Sequence, residues 1–322
     1  MIPTSFGRYQ VRRLIGEGGF GKVWLAWDPL LDREVAIKVP HGDWMAASEL
    51  LAEARALARL EHPGIVKVLD AGIEASRPFL VLEHVDGLSL EGVLLRMRAP
   101  MEPSVALDLL RGPAAGLDSA HEKGILHGDI KPANILVPLD GPLVGGLASV
   151  GGGLKIADLG LLALATRGGK GIALGDPRYA APEAWLGRPS RASDIYSLAA
   201  LVFRLVAGTA PLEGSPKVLI AAVPTATRRR LREVRPEASI TLDDALARAL
   251  SLDPAERPAS SIALLEMLAT AVAESDGRRR LVRDARERIA ARDEAPPRVS
   301  CSSCSRPLHA RATSCAHCGE DV

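Results

Sequence analysis

The chain has 322 residues, room for about two domains at roughly 150 residues each. Hydrophobic residues make up 47% and charged residues 25%, which excludes global disorder and leaves ample material for a large core. With 40 basic and 39 acidic residues the net charge is +1, and aromatics are only 3%. Neither a bulk field nor base stacking therefore directs the chain to nucleic acid or an anionic membrane.

Lys is scarce, eight against 32 Arg, a bias that a GC-rich genome explains, so each Lys is informative. Residues 1–21 carry neither an apolar core nor a small-residue cleavage site. The longest apolar stretch, 195–206, is too short to span a bilayer and is broken by Arg204. The expectation is a cytoplasmic chain with no membrane segment. All four Cys fall in the last 22 residues, against a disulfide framework spread through the fold.

In chain order, Val11, Leu14 and Ile15 lead into a Gly-rich turn, and Val23, Leu25 and Trp27 alternate as a half-buried strand. Residues 34–39 read as the next strand. Leu50, Leu51, Ala54, Leu57 and Ala58 give 48–60 helical spacing, ended by His62-Pro63-Gly64. Strands follow at 65–69 and 79–82. After Gly87 the texture turns helical, with helices expected at 104–123, 194–207, 242–250 and 259–273 and short strands at 135–137 and 154–156. Residues 138–153 are Gly- and Pro-rich and read as a flexible surface insertion. Residues 274–298 are a charged linker, helical by the i,i+4 pairs Asp276/Arg280, Arg283/Glu287 and Asp284/Arg288, up to Pro296-Pro297.

Gly16-Glu17-Gly18-Gly19-Phe20-Gly21-Lys22-Val23 is G-x-G-x-x-G-x-V between two strands, where glycines let backbone amides approach phosphates. Gly-rich hairpins are common, but a following strand rather than a helix excludes a dinucleotide-binding turn. Lys38 ends the apolar strand Val35-Ala36-Ile37, positioned either to snorkel or to reach a phosphate. Glu53 lies on the next helix, either as an exposed acid or as a partner for Lys38. In His127-Gly128-Asp129-Ile130-Lys131-Pro132-Ala133-Asn134, a proton acceptor, a cation and an amide share one tight loop. Asp158, at the end of the strand before Leu159-Gly160, adds a second carboxylate. Asn134 and Asp158 are oxygen donors of the kind Mg²⁺ accepts beside substrate phosphates.

These motifs, in this order, resemble the eukaryotic-type Ser/Thr protein kinases, particularly their bacterial branch, over residues 9 to about 273. Ala181-Pro182-Glu183, Asp194-Ile195-Tyr196-Ser197 and Arg257 extend the match. The resemblance implies an α+β fold of two lobes, a small β-rich N-lobe over about 1–87 and a helical C-lobe over about 88–273. It implies that Gly16, Gly18 and Gly21 cover the ATP phosphates and that Lys38, positioned by Glu53, holds them. The Glu83 carbonyl and Val85 amide would meet adenine, with Ile15, Val23, Ala36 and Leu136 around the ring. Asp158 and Asn134 would bind Mg²⁺, Asp129 would accept the proton of a protein hydroxyl, and Lys131 would stabilise charge on the γ-phosphate. Glu183 and Arg257 would form a buried ion pair.

Three positions depart from the family pattern. Gly128 replaces the usual Arg that reads a phosphate on the activation segment, which makes the chain a non-RD type. Asp176 replaces a Thr whose hydroxyl bonds the catalytic Asp and Lys. A carboxylate there is expected to crowd Asp129, raising one of the two pKa values, or to pair with Lys131. Leu159 replaces Phe. The competing reading is a pseudokinase, a nucleotide-binding scaffold. A small-molecule kinase is a third, disfavoured by the kinase-like sequence through Arg257.

Cys301-x2-Cys304-x10-Cys315-x2-Cys318 pairs two Cys-x2-Cys knuckles over 299–322, a spacing that suits structural zinc and resembles zinc ribbons. Disulfides are disfavoured in a cytosolic chain, and no βαβ pattern supports a redox pair. His309 and His317 read as surface residues. So small a unit needs its metal to fold, and it would serve as a docking module for a partner, nucleic acid being the poorer guess.

Overall fold

Strand alternation decides which side chains enter the core and which face the cleft. The computed structural model describes residues 3–19, 21–41, 47–139, 143–144, 147–148, 153–159, 175–215, 218–219, 221, 223–275, 299–308 and 313–321. Strands β1 (Ser5–Phe6), β2 (Tyr9–Gly18), β3 (Gly21–Asp28), β4 (Arg33–Pro40), β5 (Val68–Glu74) and β6 (Arg77–Glu83) form one antiparallel sheet, in the order β1-β2-β3-β4-β6-β5. Val35 and Ile37 of β4 are buried on one face with Trp24, Phe79 and Val81. The period of two then turns Ala36 and Lys38 to the opposite face. On a face of that same sheet, helix α1 (Ala47–Leu57) docks Leu50 and Ala54 on Leu80.

The helical lobe is built around the helix Arg191–Ala207, which is apolar on nearly every side and buried from Ser193 to Ala207 except at Arg204. The stretch 195–206, too short for a membrane, is thus the centre of the core. A Ser190/Ser193 capping box starts it and Gly208, at φ 78°, ends it. Helix α2 (Leu90–Leu94) is N-capped by Ser89. Helix α3 (Pro103–Glu122) buries Leu107, Leu110, Ala114 and Leu117 in the same core, and the helices Ile240–Ala249 and 261–275 complete it. Burying those α3 side chains stabilises by about 1.5–3 kcal/mol for each Leu. Among the described residues no helix is long and apolar enough to cross a membrane.

The two-lobed α+β expectation holds, with local differences. Residues 65–66 do not join the large sheet. Ile65 bridges Ile156, with which it shares the helical lobe's core, and the Val66 N–H donates to the Ile156 carbonyl. The strand begins instead at Val68. Beyond Gly87 the chain is not yet helical: β7 (Gly87–Ser89) pairs with β8 (Ile135–Pro138), which pairs with β11 (Lys155–Ile156). Within 138–153 two short strands, β9 (Leu143–Val144) and β10 (Leu147–Ala148), pair antiparallel.

The chain divides into two compact units, Met1–Val272 and Ala273–Val322. The second contains the antiparallel pair β12 (Val299–Ser300) and β13 (Pro307–Leu308). From residue 276 to 298 the expected charged helix lies outside the described residues.

Candidate active site

A cleft of about 770 Å³ opens between the sheet and the helical lobe. It is lined by Ile15, Gly16, Gly18, Gly21 and Val23 from the β2–β3 hairpin, and by Ala36 and Lys38 from β4. Glu83, the last residue of β6, and Val85 just beyond it line it, and Leu136 does so from β8. Asp129, Lys131, Asn134 and Asp158 line it from the helical lobe. Of the residues expected to hold or act on nucleotide, only Glu53 is missing from this lining, and its side chain lies outside the described residues.

The loop bearing Asp129 is tied down by buried hydrogen bonds. The Asp194 carboxylate, at the N-terminus of the core helix, accepts the backbone N–H of His127 at 2.8 Å and of Gly128 at 2.8 Å, and meets His121 Nε2 at 2.7 Å. His127 Nδ1 accepts the Asp129 N–H at 3.1 Å, which leaves Nε2–H to donate to the Ala157 carbonyl at 2.9 Å. Gly128 sits at φ 81°, a left-handed conformation that glycine adopts without strain.

At the centre, Lys131 Nζ lies 2.6 Å from Asp129 Oδ2, and Asn134 Nδ2 donates to the Asp129 carbonyl at 2.8 Å and to Oδ2 at 3.2 Å. The Asn134 carbonyl accepts the Ala157 N–H at 2.8 Å, which fixes the spacing between this loop and Asp158. Lys38 Nζ is 2.6 Å from Asp158 Oδ1. Burial pushes the Asp158 carboxyl up, but the Lys38 ammonium outweighs it and the net shift is downward. Asp158 holds φ 63°, a strained value for a residue with a Cβ, and such strain concentrates at functional sites. Two oxygen donors, Asn134 and Asp158, and two ammonium groups, Lys38 and Lys131, thus line one cleft. This donor set fits Mg²⁺ together with a polyphosphate.

Asp176 does not behave as expected. Its carboxylate turns away from Lys131 and Asp129 to Arg178, with Oδ1 accepting the Arg178 N–H at 3.0 Å and Nε at 2.9 Å. Only its backbone N–H reaches Asp129, donating to Oδ1 at 3.3 Å. Burial raises the Asp176 carboxyl, but Arg178 outweighs it and the pKa falls below the ordinary value, so crowding does not raise it. The physical reason is local: Pro177 turns the chain so that residue 178 meets residue 176 before Lys131 can.

Arg257 makes two parallel bonds to Glu183, Nη1–Oε1 at 2.6 Å and Nη2–Oε2 at 2.9 Å, while Ser193 Oγ donates to Oε1 at 2.7 Å. Sequence reasoning did not place Ser89, Glu91 or Tyr179 at the cleft, though all three line it. Ser89 and Glu91 belong to β7 and α2, elements too short to carry a periodic signal. Nor did it assign an anchoring role to Asp194, which the sequence marks only as part of the match Asp194-Ile195-Tyr196-Ser197 at the start of an apolar helix.

In the second unit, all four Cys sulfurs lie within 4.8 Å of one another and none is in a disulfide. Cys301 Sγ is 3.5 Å from Cys318 Sγ, and Cys304 Sγ is 3.6 Å from Cys315 Sγ. A tetrahedral zinc with Zn–S bonds of about 2.3 Å sets its sulfurs about 3.8 Å apart, so this donor set fits one zinc. The knuckles are built alike. The Cys301 N–H donates to the Arg306 carbonyl and the Ser305 N–H to the Cys301 carbonyl; Cys315, Glu320 and Gly319 repeat that pattern. Ser305 and Gly319 both have positive φ. Amide N–H groups of Cys318 and His317 hold the Cys315 thiol down at about 6.

Comparison with known proteins agrees with this geometry. The family model described as protein kinase domain matches residues 9–269. The serine/threonine-protein kinase pkn2 of Myxococcus xanthus is 34% identical over 288 residues, 84% of this chain and 34% of that protein. The kinase PknL of Mycobacterium tuberculosis is 35% identical over 272 residues, 80% of this chain and 64% of that protein. The chain therefore covers less than two thirds of either relative's length. The crystal structure of the PknI kinase domain of Mycobacterium tuberculosis superposes with a TM-score of 0.66 at 26% identity, over 84% of this chain and 99% of that one. Motif order, cleft and family match converge, and the chain belongs to the protein kinase family.

Proposed function

We propose that this chain is an ATP-dependent serine/threonine protein kinase of the non-RD type, acting on protein substrates in the cytoplasm. The kinase domain would span 1–273 and a zinc-binding module 299–322, joined by the charged segment 274–298. One observation carries the reading: Lys38, Lys131, Asn134, Asp158 and Asp129 all line one cleft, with Asp129 anchored from below. The kinase relatives named above support the Ser/Thr assignment.

The residues divide the work. Gly16, Gly18 and Gly21 cover the phosphates of ATP, and Lys38 holds them. Ile15, Val23, Ala36 and Leu136 enclose adenine, which meets the Glu83 carbonyl and the Val85 amide. Glu83 is suited to this because Lys155 and the Lys67 N–H pin its carboxylate, leaving the backbone in a set position. Asp129 orients the substrate hydroxyl and takes its proton as the oxygen bonds to the γ-phosphorus and the bond to the β-phosphate oxygen breaks. Oδ1, which among the described residues carries one long hydrogen bond, is the oxygen suited to that proton. Lys131 stabilises the charge that builds on the phosphoryl group. Mg²⁺, held by Asn134 and Asp158, would neutralise phosphate charge when bound. Zinc on Cys301, Cys304, Cys315 and Cys318 would be structural and would present the module to a partner.

The scaffold alternative rested on Gly128 and Asp176. Gly128 suits the left-handed backbone it occupies, and the Asp176 carboxylate is engaged by Arg178 rather than by Lys131. The test is incubation of purified protein with radiolabelled ATP, Mg²⁺ and a basic protein substrate, followed by phosphoamino acid analysis. Labelled phosphoserine or phosphothreonine is expected. Nucleotide binding without label transfer would establish the scaffold instead.

A further inference from the structure

The Asp129 carboxylate is held differently at its two oxygens. Oδ2 takes Lys131 and Asn134, both from its own loop. Among the described residues, Oδ1 takes only the backbone N–H of Asp176, from a segment 47 residues further along the chain. Beside it Gly175, at φ 79°, lies so close that a Cβ there would sit 2.5 Å from Asp129 Oδ1. No side chain fits that contact, and none readily adopts that backbone. The position of residues 175–176 therefore sets one wall of the pocket around the proton acceptor.

Residue 176 is itself held at each of its polar groups. Its carbonyl accepts the N–H of Tyr179 at 3.0 Å and of Ala180 at 3.1 Å. Its carboxylate accepts the Arg178 N–H and Nε through Oδ1, and Nε at 3.1 Å and Nη2 at 2.5 Å through Oδ2. A planar guanidinium set against a carboxylate in this way fixes both orientation and distance. Arg178 also lies 5.6 Å from the centre of the Tyr179 ring, and Tyr179 is buried. The turn 176–179 is thus a closed unit that leaves the Asp176 N–H to donate to Asp129 Oδ1.

We propose that Asp176 is a positioning residue for phosphotransfer: clamped by Arg178, it holds its backbone N–H and Gly175 against Asp129 and so aims the carboxylate at the acceptor hydroxyl. The inference rests on the kinase reading above and adds to it. A side-chain hydroxyl at this position would reach the acceptor directly. Here the carboxylate acts instead by rigidifying the turn. Arg178, being engaged, is not free to read a phosphate on the activation segment.

The experiment compares Asp176→Ala, Arg178→Ala, their double variant and Arg178→Lys with wild type in full-length protein. Steady-state phosphotransfer and hydrogen exchange of residues 175–180 are both measured. Each alanine variant is expected to lower kcat about tenfold with KM for ATP unchanged, since a small misplacement of a catalytic group is costly while the nucleotide contacts are elsewhere. The double variant is expected to fall no further than either single one. Arg178→Lys should recover part of the loss, because an ammonium replaces the charge but not the paired geometry. Exchange at residues 175–180 should quicken in both single variants. Unchanged kcat in Asp176→Ala, or losses that multiply in the double variant, would overturn the proposal. If wild type binds ATP yet transfers no phosphate, the kinase reading fails, and exchange alone decides the clamp: unaltered protection in Arg178→Ala overturns it, and quickened exchange upholds it.

Discussion

Lys38 Nζ and Asp158 Oδ1 lie 2.6 Å apart across the cleft, one from the sheet and one from the helical lobe. Lys38 is buried by the alternation that sends Ile37 into the opposite core, and Asp158 is carried there by a strained left-handed turn. Neither residue belongs to a hydrophobic cluster, and the proposed function assigns both to the phosphates and their metal.

Lys38→Met and Asp158→Asn are accordingly expected to abolish phosphotransfer in folded protein. Lys38→Met also leaves the Asp158 carboxylate without its cation, at a cost of about 1–3 kcal/mol in stability. Circular dichroism checks the fold and an ATP-dependent labelling assay checks activity. Residual activity within about tenfold of wild type in either variant would contradict the assigned roles.

The Glu183–Arg257 pair makes a pH-dependent contribution. Burial raises the Glu183 carboxyl, but the bonds from Arg257 and Ser193 outweigh it, so its folded pKa lies below the ordinary 4.5. A carboxyl depressed on folding gives stability that is complete above the unfolded value and disappears as pH falls through the folded one. Glu183→Gln should therefore cost about 3–5 kcal/mol at pH 7, because Arg257 is left buried without its charge partner. It should also flatten the fall of Tm below about pH 4.5. A Tm at pH 7 equal to that of wild type would refute this account.

The Cys-rich unit should bind one zinc and behave independently of the kinase domain. Metal analysis in reducing buffer should find about one zinc per chain. Removing residues 296–322 should leave ATP affinity unchanged, as titration of a fluorescent ATP analogue would show. Absence of zinc would refute the site, and weakened ATP binding after truncation would refute the independence.

Phosphorylation of the activation segment should not control activity. Gly128 supplies no cation to receive such a phosphate, and Arg178 is taken by Asp176. Thr166, which lies outside the described residues, is the one hydroxyl between residues 161 and 174. Thr166→Ala and phosphatase-treated wild type should both keep their initial rates. A fall of about tenfold in either, roughly 1.4 kcal/mol, would establish a switch.

Most of the cleft was legible because its motifs are local. Gly16 to Val23 and His127 to Asn134 each place several functional groups within one turn, so spacing alone brings them together. Features that depend on distant pairing were not legible. Ile65 reads as part of a strand but bridges Ile156 across the lobes. Gly87–Ser89 is a strand only because β8 lies beside it. The partner of Asp176 differs from the expected one for the opposite reason. The motif sets Asp176 beside Lys131 and Asp129, while the turn at Pro177 gives its carboxylate to Arg178, two residues away.

The most direct measurement is transfer of labelled phosphate from ATP to a protein substrate by wild type and by Asp129→Asn, with ATP binding followed in both. Asp129 faces the cleft, held by Lys131 and Asn134, with one lightly bonded oxygen. The account predicts transfer by wild type and a loss of at least about a hundredfold in the variant, at unchanged ATP affinity. Transfer by Asp129→Asn within about tenfold of wild type, or none by wild type with ATP and Mg²⁺ bound, would contradict it.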